Sequence, residues 1–203
     1  MHLTLRPITE PTLLGGRKLA ALCMVVAFLW MGGGRLVAEA PGAELIGRRP
    51  PPWELEAWYH SKPLTLQELR GKVVLVRWWT APDCPYCKTT APALNEFHET
   101  YSARGLVVIG VYHHKSPEPL QVADVRRYAD QLGFQFPVAI DPKWGTLKKW
   151  WLNKEDRNWT SVSFLLDRQG RIRHIHPGGQ YVKGDVDYEA MRGQIETLLK
   201  ETK

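Results

Sequence analysis

The sequence predicts an α/β fold, and three observations carry that reading. Two continuous apolar runs, VVLVRWW at 73–79 and LVVIGVY at 106–112, are rich in β-branched and aromatic residues and have the length of buried strands. A helical stretch separates them, so strand, helix and strand alternate, as a parallel pair with its crossover requires. Near the C-terminus, SVSFLLDRQGRIRHIH reads as two strands about a turn at Asp167–Gly170, a hairpin that adds antiparallel strands.

The other elements follow in chain order. Residues 41–63, PGAELIGRRPPPWELEAWYHSKP, are Pro-rich and read as a linker that becomes a lead-in packed by Trp53 and Trp58. LTLQELRGK is a short amphipathic turn ending at Gly71. A helix is predicted from Pro85 to a stop at Gly105, with Pro92 inside it as a kink. Leu120, Val122, Val125, Tyr128, Ala129 and Leu132 fall at helical spacing before Gly133. PVAI is a short strand, KWGTLKKWWL a short helix, and DYEAMRGQIETLLK a terminal amphipathic helix with Tyr188, Met191, Ile195, Leu198 and Leu199 on its apolar side. No internal repeat or low-complexity tract interrupts this order.

The 203 residues are 44% hydrophobic and 24% charged, which suits one globular domain rather than a disordered chain. Formal charge is +6; the first forty residues hold four basic and two acidic groups, leaving +4 scattered over the rest. With no basic block, nucleic acid is not an expected partner.

The N-terminus differs from the remainder. Arg17 and Lys18 precede thirteen apolar residues, Leu19–Met31, and then Gly32–Gly34, the order of a secretory signal. The run is short for a membrane span, which takes about 20 residues. Residues 1–40 are therefore a signal peptide or an N-terminal membrane anchor, and the domain is expected to be extracytoplasmic (periplasmic), secreted or anchored by this segment. Ala38-Glu39-Ala40 has a cleavage-site form, but Pro41 obstructs cleavage after Ala40, and Ala38 is the alternative. Membrane contact is expected only through this segment. Cys23 within the run reads as apolar filler.

Export leaves Cys84 and Cys87 as the cysteines of the mature chain, in a compartment where disulfides persist. A Cys-Pro-Tyr-Cys could be a redox pair, half of a metal site, or two buried thiols. Its place after a strand and at the start of a helix favours the first. Unpaired helix N–H groups and the helix dipole favour a thiolate at Cys84. Cys87 lies one turn along the same face, close enough to bond to it. Cys84 is the expected nucleophile and Cys87 the resolving thiol, through a mixed disulfide with a partner.

From about Leu45 to Leu199 the chain resembles the thioredoxin-like redoxins, in particular exported thiol–disulfide oxidoreductases of the TlpA/ResA type. The stretches that carry the resemblance are LTLQELRGKVVLVRWW, CPYCKTTAPAL, LVVIGVY and SFLLDRQGRIRHI. It implies a thioredoxin-like fold with a central mixed β-sheet flanked by α-helices, a redoxin domain over 64–203, and a redox pair at Cys84 and Cys87. It also implies that Pro92 is the helix-kinking proline. Reduction, with a membrane thiol donor keeping the pair reduced, is the implied direction. The partners are protein thiols and disulfides, and the only redox group is the disulfide itself, with no cofactor and no metal. Supporting or substrate-binding residues are expected at Trp79, placed near the disulfide, at Pro85 and Tyr86 between the cysteines, and at Thr160 and Ser161. The chain departs from the family at several positions. Asp83 stands where a Trp often precedes the first cysteine, Arg77 where a buried acid or amide assists proton transfer, and Thr90 where haem-maturation members carry a glutamate. Ser161 stands where the family has a cis-proline facing the disulfide.

Two other functions compete. A copper- or metal-binding thioredoxin-fold chaperone would use two thiolates with a histidine, and His113, His114, His174 and His176 are the candidates, though solvated or loop-packing roles fit these histidines better. A thiol peroxidase would need Thr three residues before the cysteine, whereas Thr80 is four before Cys84. Among the nine tryptophans, Trp78, Trp79, Trp150, Trp151 and Trp159 read as core.

Overall fold

The computed structural model describes residues 40–201. Six strands form one sheet: β1 (Glu56–Tyr59), β2 (Val73–Trp79), β3 (Leu106–Tyr112), β4 (Val138–Ile140), β5 (Ser163–Leu166) and β6 (Ile172–His176). Four α-helices accompany them: α1 (Pro85–Tyr101), α2 (Val122–Gln131), α3 (Gly145–Trp150) and α4 (Val186–Lys200). The strand order is β1-β4-β3-β2-β5-β6. β2, β3 and β4 are parallel, and the joints to β1, β5 and β6 are antiparallel.

The central strand explains the layering. All seven residues of β2 are buried, and successive side chains of a strand point to opposite faces. Val73, Leu75 and Trp79 enter a core shared with α1, α2 and α4. Val74, Val76 and Trp78 enter a second core with α3, the lead-in residue Trp53 and Leu69 of the turn before β2. A strand covered on both faces has no place for polar alternation, which is why its sequence is a continuous apolar run. Arg77 is the one exception, and it lies on the α1 side.

α1 is amphipathic, burying Cys87, Thr90, Ala91, Leu94, Phe97 and Tyr101 at helical spacing. It runs unbroken through Pro92, whose exposed position leaves the unmatched Lys88 carbonyl free to meet water. A short 3₁₀ turn, Ser102–Arg104, and Gly105 in the left-handed region end it, as a C-terminal glycine does. Opposite, the Asp141 carboxylate takes Trp78 Nε1–H at 3.0 Å and the backbone N–H groups of Thr146 and Leu147 at 2.9 and 2.7 Å. One side chain thus starts α3 and fixes the indole that packs on Trp150 at 5.5 Å.

Residues 41–63 hold more structure than a linker. Gly47 N–H donates to Ile172 O and Ile172 N–H to Arg48 O, so this stretch covers the β6 edge. Glu56–Tyr59 then supplies the strand at the other edge, antiparallel to β4. The signal or anchor expected over 1–40 falls outside the described residues except at Ala40. Among the described residues no helix is long and apolar enough to cross a membrane.

Candidate active site

The loop after β2 turns back on itself, with Cys84 N–H bonded to Ala81 O at 3.0 Å, and delivers Cys84 to the N-cap of α1. Pro85 occupies the first helical turn, where its missing N–H costs nothing and its φ is already helical. Cys84 Sγ accepts two hydrogen bonds, one from Cys87 N–H at 3.4 Å and one from the Cys87 thiol at 2.7 Å. Cys87 Sγ in turn accepts from Thr80 N–H at 3.4 Å. Cys84 is partly exposed, whereas Cys87 is 3% exposed and packs with Trp79. Both cysteines are free thiols in this structure. Burial, reinforced by the bond donated to Cys84, pushes the Cys87 thiol up to about 12.

Cys84 sits between two openings. One, of about 690 Å³, is lined by Asp83, Pro85, Tyr112, His114, Lys115 and Tyr128. The other, of about 130 Å³, is lined by Tyr86, His113, Asn158, Trp159, Thr160 and Ser161. The second opening therefore brings together Cys84, Tyr86, Thr160 and Ser161, which are up to 77 positions apart in the chain. Trp79 contributes differently: its indole is buried beneath the pair, edge-on to Tyr112 at 5.1 Å and Phe134 at 5.3 Å. It lies directly over Gly110, where a Cβ would come within 3.0 Å of the indole nitrogen, so β3 carries glycine at the one point where the indole needs the room.

One expectation is corrected here and another narrowed. Trp159 is not core: it is 48% exposed and meets Tyr86 edge-on at 5.5 Å above the smaller opening. Of the two roles expected for His113, packing is the one it takes, not solvation: it is 1% exposed, faces Trp144 at 5.3 Å, and burial drives its imidazole down to about 3, so it is neutral. An exposed Trp and a core Trp look alike in sequence, and a histidine ending a buried strand gives no sign of which way it turns.

The wall behind Thr160 and Ser161 is built by a loop that the sequence reading passed over, Pro177-Gly178-Gly179. A Cβ on Gly178 would lie 2.2 Å from Trp159 Cβ, so only glycine lets the two segments touch. Gly179 N–H donates to Ser161 Oγ at 2.9 Å, and Gly179 O accepts from Arg77 Nη2 at 2.7 Å. The adjacent glycines were the available signal. Arg77 is 1% exposed, also bonds Ser163 Oγ at 3.3 Å, and lies over the Tyr181 ring at 5.4 Å. Among the described residues no three His, Cys, Asp or Glu side chains come together as a metal site.

A family model described as AhpC/TSA matches residues 46–175, which takes in the whole sheet except the end of β6 and includes both cysteines. The chain belongs to the AhpC/TSA family. Among its relatives, DipZ of Mycobacterium tuberculosis is 31% identical over 163 residues, covering 79% of this chain but 22% of that protein. The chain thus spans about a fifth of DipZ. The thiol-disulfide oxidoreductase ResA of Bacillus anthracis is 27% identical over 138 residues, covering 68% of this chain and 70% of ResA. The crystal structure of a thiol-disulfide isomerase from Corynebacterium glutamicum superposes with a TM-score of 0.61 at 27% identity, covering 77% of this chain and 98% of that one. These likenesses agree with the topology, and the fold is thioredoxin-like.

Proposed function

We propose that this AhpC/TSA-family chain is a thiol–disulfide oxidoreductase that exchanges disulfides with partner proteins through Cys84 and Cys87. The observation that carries the reading is the asymmetry of the pair. Cys84 reaches solvent, caps a helix and accepts two hydrogen bonds, while Cys87 sits buried behind it as a protonated donor at 2.7 Å. That arrangement suits an attacking sulfur backed by a resolving one. The names of the relatives, ResA above all, support the same class of reaction.

In the reductive direction the Cys84 thiolate attacks one sulfur of a partner's disulfide. A Cys84–partner bond forms, the partner's own S–S bond breaks, and its second sulfur leaves as a thiolate that takes up a proton. Cys87 then loses its proton and attacks Cys84 Sγ. The Cys84–Cys87 bond forms, the mixed disulfide breaks, and the partner has gained two electrons and two protons. An external dithiol, supplied by a membrane thiol donor, returns the pair to its reduced state; oxidation of a partner dithiol is the same sequence reversed. Thr160, Ser161 and Tyr86 border the opening in which a partner's chain would lie, and Trp79 supports the pair from below. The apolar run Leu19–Met31 supports a location for this chemistry outside the cytoplasm.

Cys84→Ser is expected to abolish exchange. Cys87→Ser is expected to trap a partner on Cys84, seen as a reducible adduct on a non-reducing gel. If Cys87→Ser, with Cys84 intact and the protein folded, traps nothing from a thiol-blocked or oxidised extract, the assignment of roles is wrong. Stoichiometric copper or zinc bound by the two thiols would instead favour a metal chaperone.

A further inference from the structure

Arg77 poses a physical problem. Removing an unpaired charge from water costs several kcal/mol even after relaxation, and buried charges are normally paired. Arg77 is 1% exposed, yet among the described residues no carboxylate pairs with it. Its partners are neutral, namely Ser163 Oγ at 3.3 Å and Gly179 O at 2.7 Å, and its Nε–H has none. Ring contact with Tyr181 at 5.4 Å offers partial compensation.

The titratable groups around it sharpen the question. From β2, the guanidinium projects to the face that α1 covers with Cys84 and Cys87. Tyr181 comes from the loop after β6, and burial holds its phenol above its ordinary range. His176 of β6 is driven down to about 4 by burial and by Arg77 itself, with Asp187 of α4 3.7 Å away at the surface. His113 at the end of β3 is also neutral. Arg77 thus carries a buried charge that no carboxylate balances on this side of the sheet, the buried Asp141 lying in the opposite core, and guanidinium does not lose its proton in proteins. The groups beside it that become anionic in a thiol–disulfide cycle are the two sulfurs, and each of them, when ionised, favours the charged guanidinium. Such coupling is reciprocal.

We infer that Arg77 is a positioning charge for the redox pair: buried beside the cysteines without a carboxylate, it stabilises negative charge on the sulfurs, above all on Cys87 as that residue attacks the mixed disulfide. The same guanidinium holds Gly179, which holds Ser161, so one side chain joins the electrostatics of the pair to the wall of the partner opening. This inference rests on the proposed exchange reaction. In the resolving step Cys87 gives up its proton to solvent, its sulfur forms the bond to Cys84, and the displaced sulfur carries the electron pair away. Arg77 neither gains nor loses a proton.

The test uses the reduced full-length chain carrying Cys23→Ser and the disulfide reagent DTNB. Attack by Cys84 releases one coloured thiolate, and attack by Cys87 on the resulting mixed disulfide releases a second. In Arg77→Gln a tenfold loss of Cys87 thiolate, partly offset by the higher nucleophilicity of a more basic sulfur, slows the second release about threefold. The slowing is constant from pH 7 to 9. Arg77→Lys keeps the charge and is expected within twofold of the parent, whereas Arg77→Gln, whose amide also keeps a donor for Gly179 O, is slowed because it lacks the charge. Should Arg77→Gln fail to fold, Ser163→Asp places a carboxylate against the guanidinium with Arg77 retained, and the same slowing is expected. An unchanged or faster second release in the neutralised protein, or Arg77→Lys slowed as much as Arg77→Gln, overturns the inference. Absence of any second release in the parent overturns the exchange reaction itself.

Discussion

Cys87 offers a quantitative check on the site, because its burial ties the chemistry of the thiol to the stability of the fold. The folded structure pushes this thiol from about 9 to about 12, chiefly by burial. The folded state therefore keeps its proton where the unfolded chain releases it. A raised pKa contributes stability that is fully present below the unfolded value and is lost as pH rises toward the folded one. Each unit of separation is about 1.4 kcal/mol. Between pH 7.5 and 10.5 the reduced protein should thus lose about 2 kcal/mol relative to Cys87→Ala, which lacks the group. Urea unfolding of the two proteins under reducing conditions, at half-unit steps of pH, measures this directly, and the tyrosines that also titrate there cancel in the difference. The same shift leaves about one Cys87 in 10⁵ ionised at pH 7. Burial of Cys87 persists in a mixed disulfide, so its resolution should accelerate as pH rises from 7. A stability difference flat to within about 0.5 kcal/mol across the range, or a resolution rate independent of pH, would refute the reasoning.

Three further outcomes follow from the geometry. Gly178→Ala drives a Cβ to within 2.2 Å of Trp159 Cβ; overpacking of this kind costs about 1–3 kcal/mol, and displacement of the 159–161 segment should slow exchange with a protein disulfide more than reaction with DTNB. Trp159→Ala, at a half-exposed position, should change thermal stability by less than about 0.5 kcal/mol while raising the KM for a protein partner. Asp141→Ala strands the Trp78 indole N–H and two backbone N–H groups of α3; a loss of about 3 kcal/mol in urea unfolding is expected, with the Cys84 reaction rate unchanged in the folded protein.

Much of the architecture was legible because it obeys local rules. The runs at 73–79 and 106–112 are β2 and β3, residue for residue, since strands buried on both faces must be apolar throughout. Pro85 and Gly105 mark the bounds of α1 and its final turn for backbone reasons that any sequence displays. β1 was not legible: four residues at a sheet edge, paired to β4 through an irregular register, leave little periodicity to read. The site divides in the same way. Cys84, Pro85, Tyr86 and Cys87 announce themselves by spacing, and the motif's resemblance led on to Thr160 and Ser161. The resemblance marked Arg77 only as a departure at a proton-transfer position; its partners 86 and 102 positions away were not legible, because a charged residue inside an apolar run gives no clue to them. Trp159 was misread for a similar reason. Whether an indole is core or rim depends on Gly178, which sits 19 residues later and acts only by lacking a side chain.

The most direct test of the central claim is a glutathione redox titration of the purified protein, read by differential alkylation of the tryptic peptide at 78–88, which contains both cysteines and separates them from Cys23, with metal content determined on the same sample. The account predicts a reversible two-electron couple in which Cys84 and Cys87 are oxidised together, in metal-free protein. Independent alkylation of the two thiols across the whole titration, or a stoichiometric copper or zinc ion that blocks it, would contradict it.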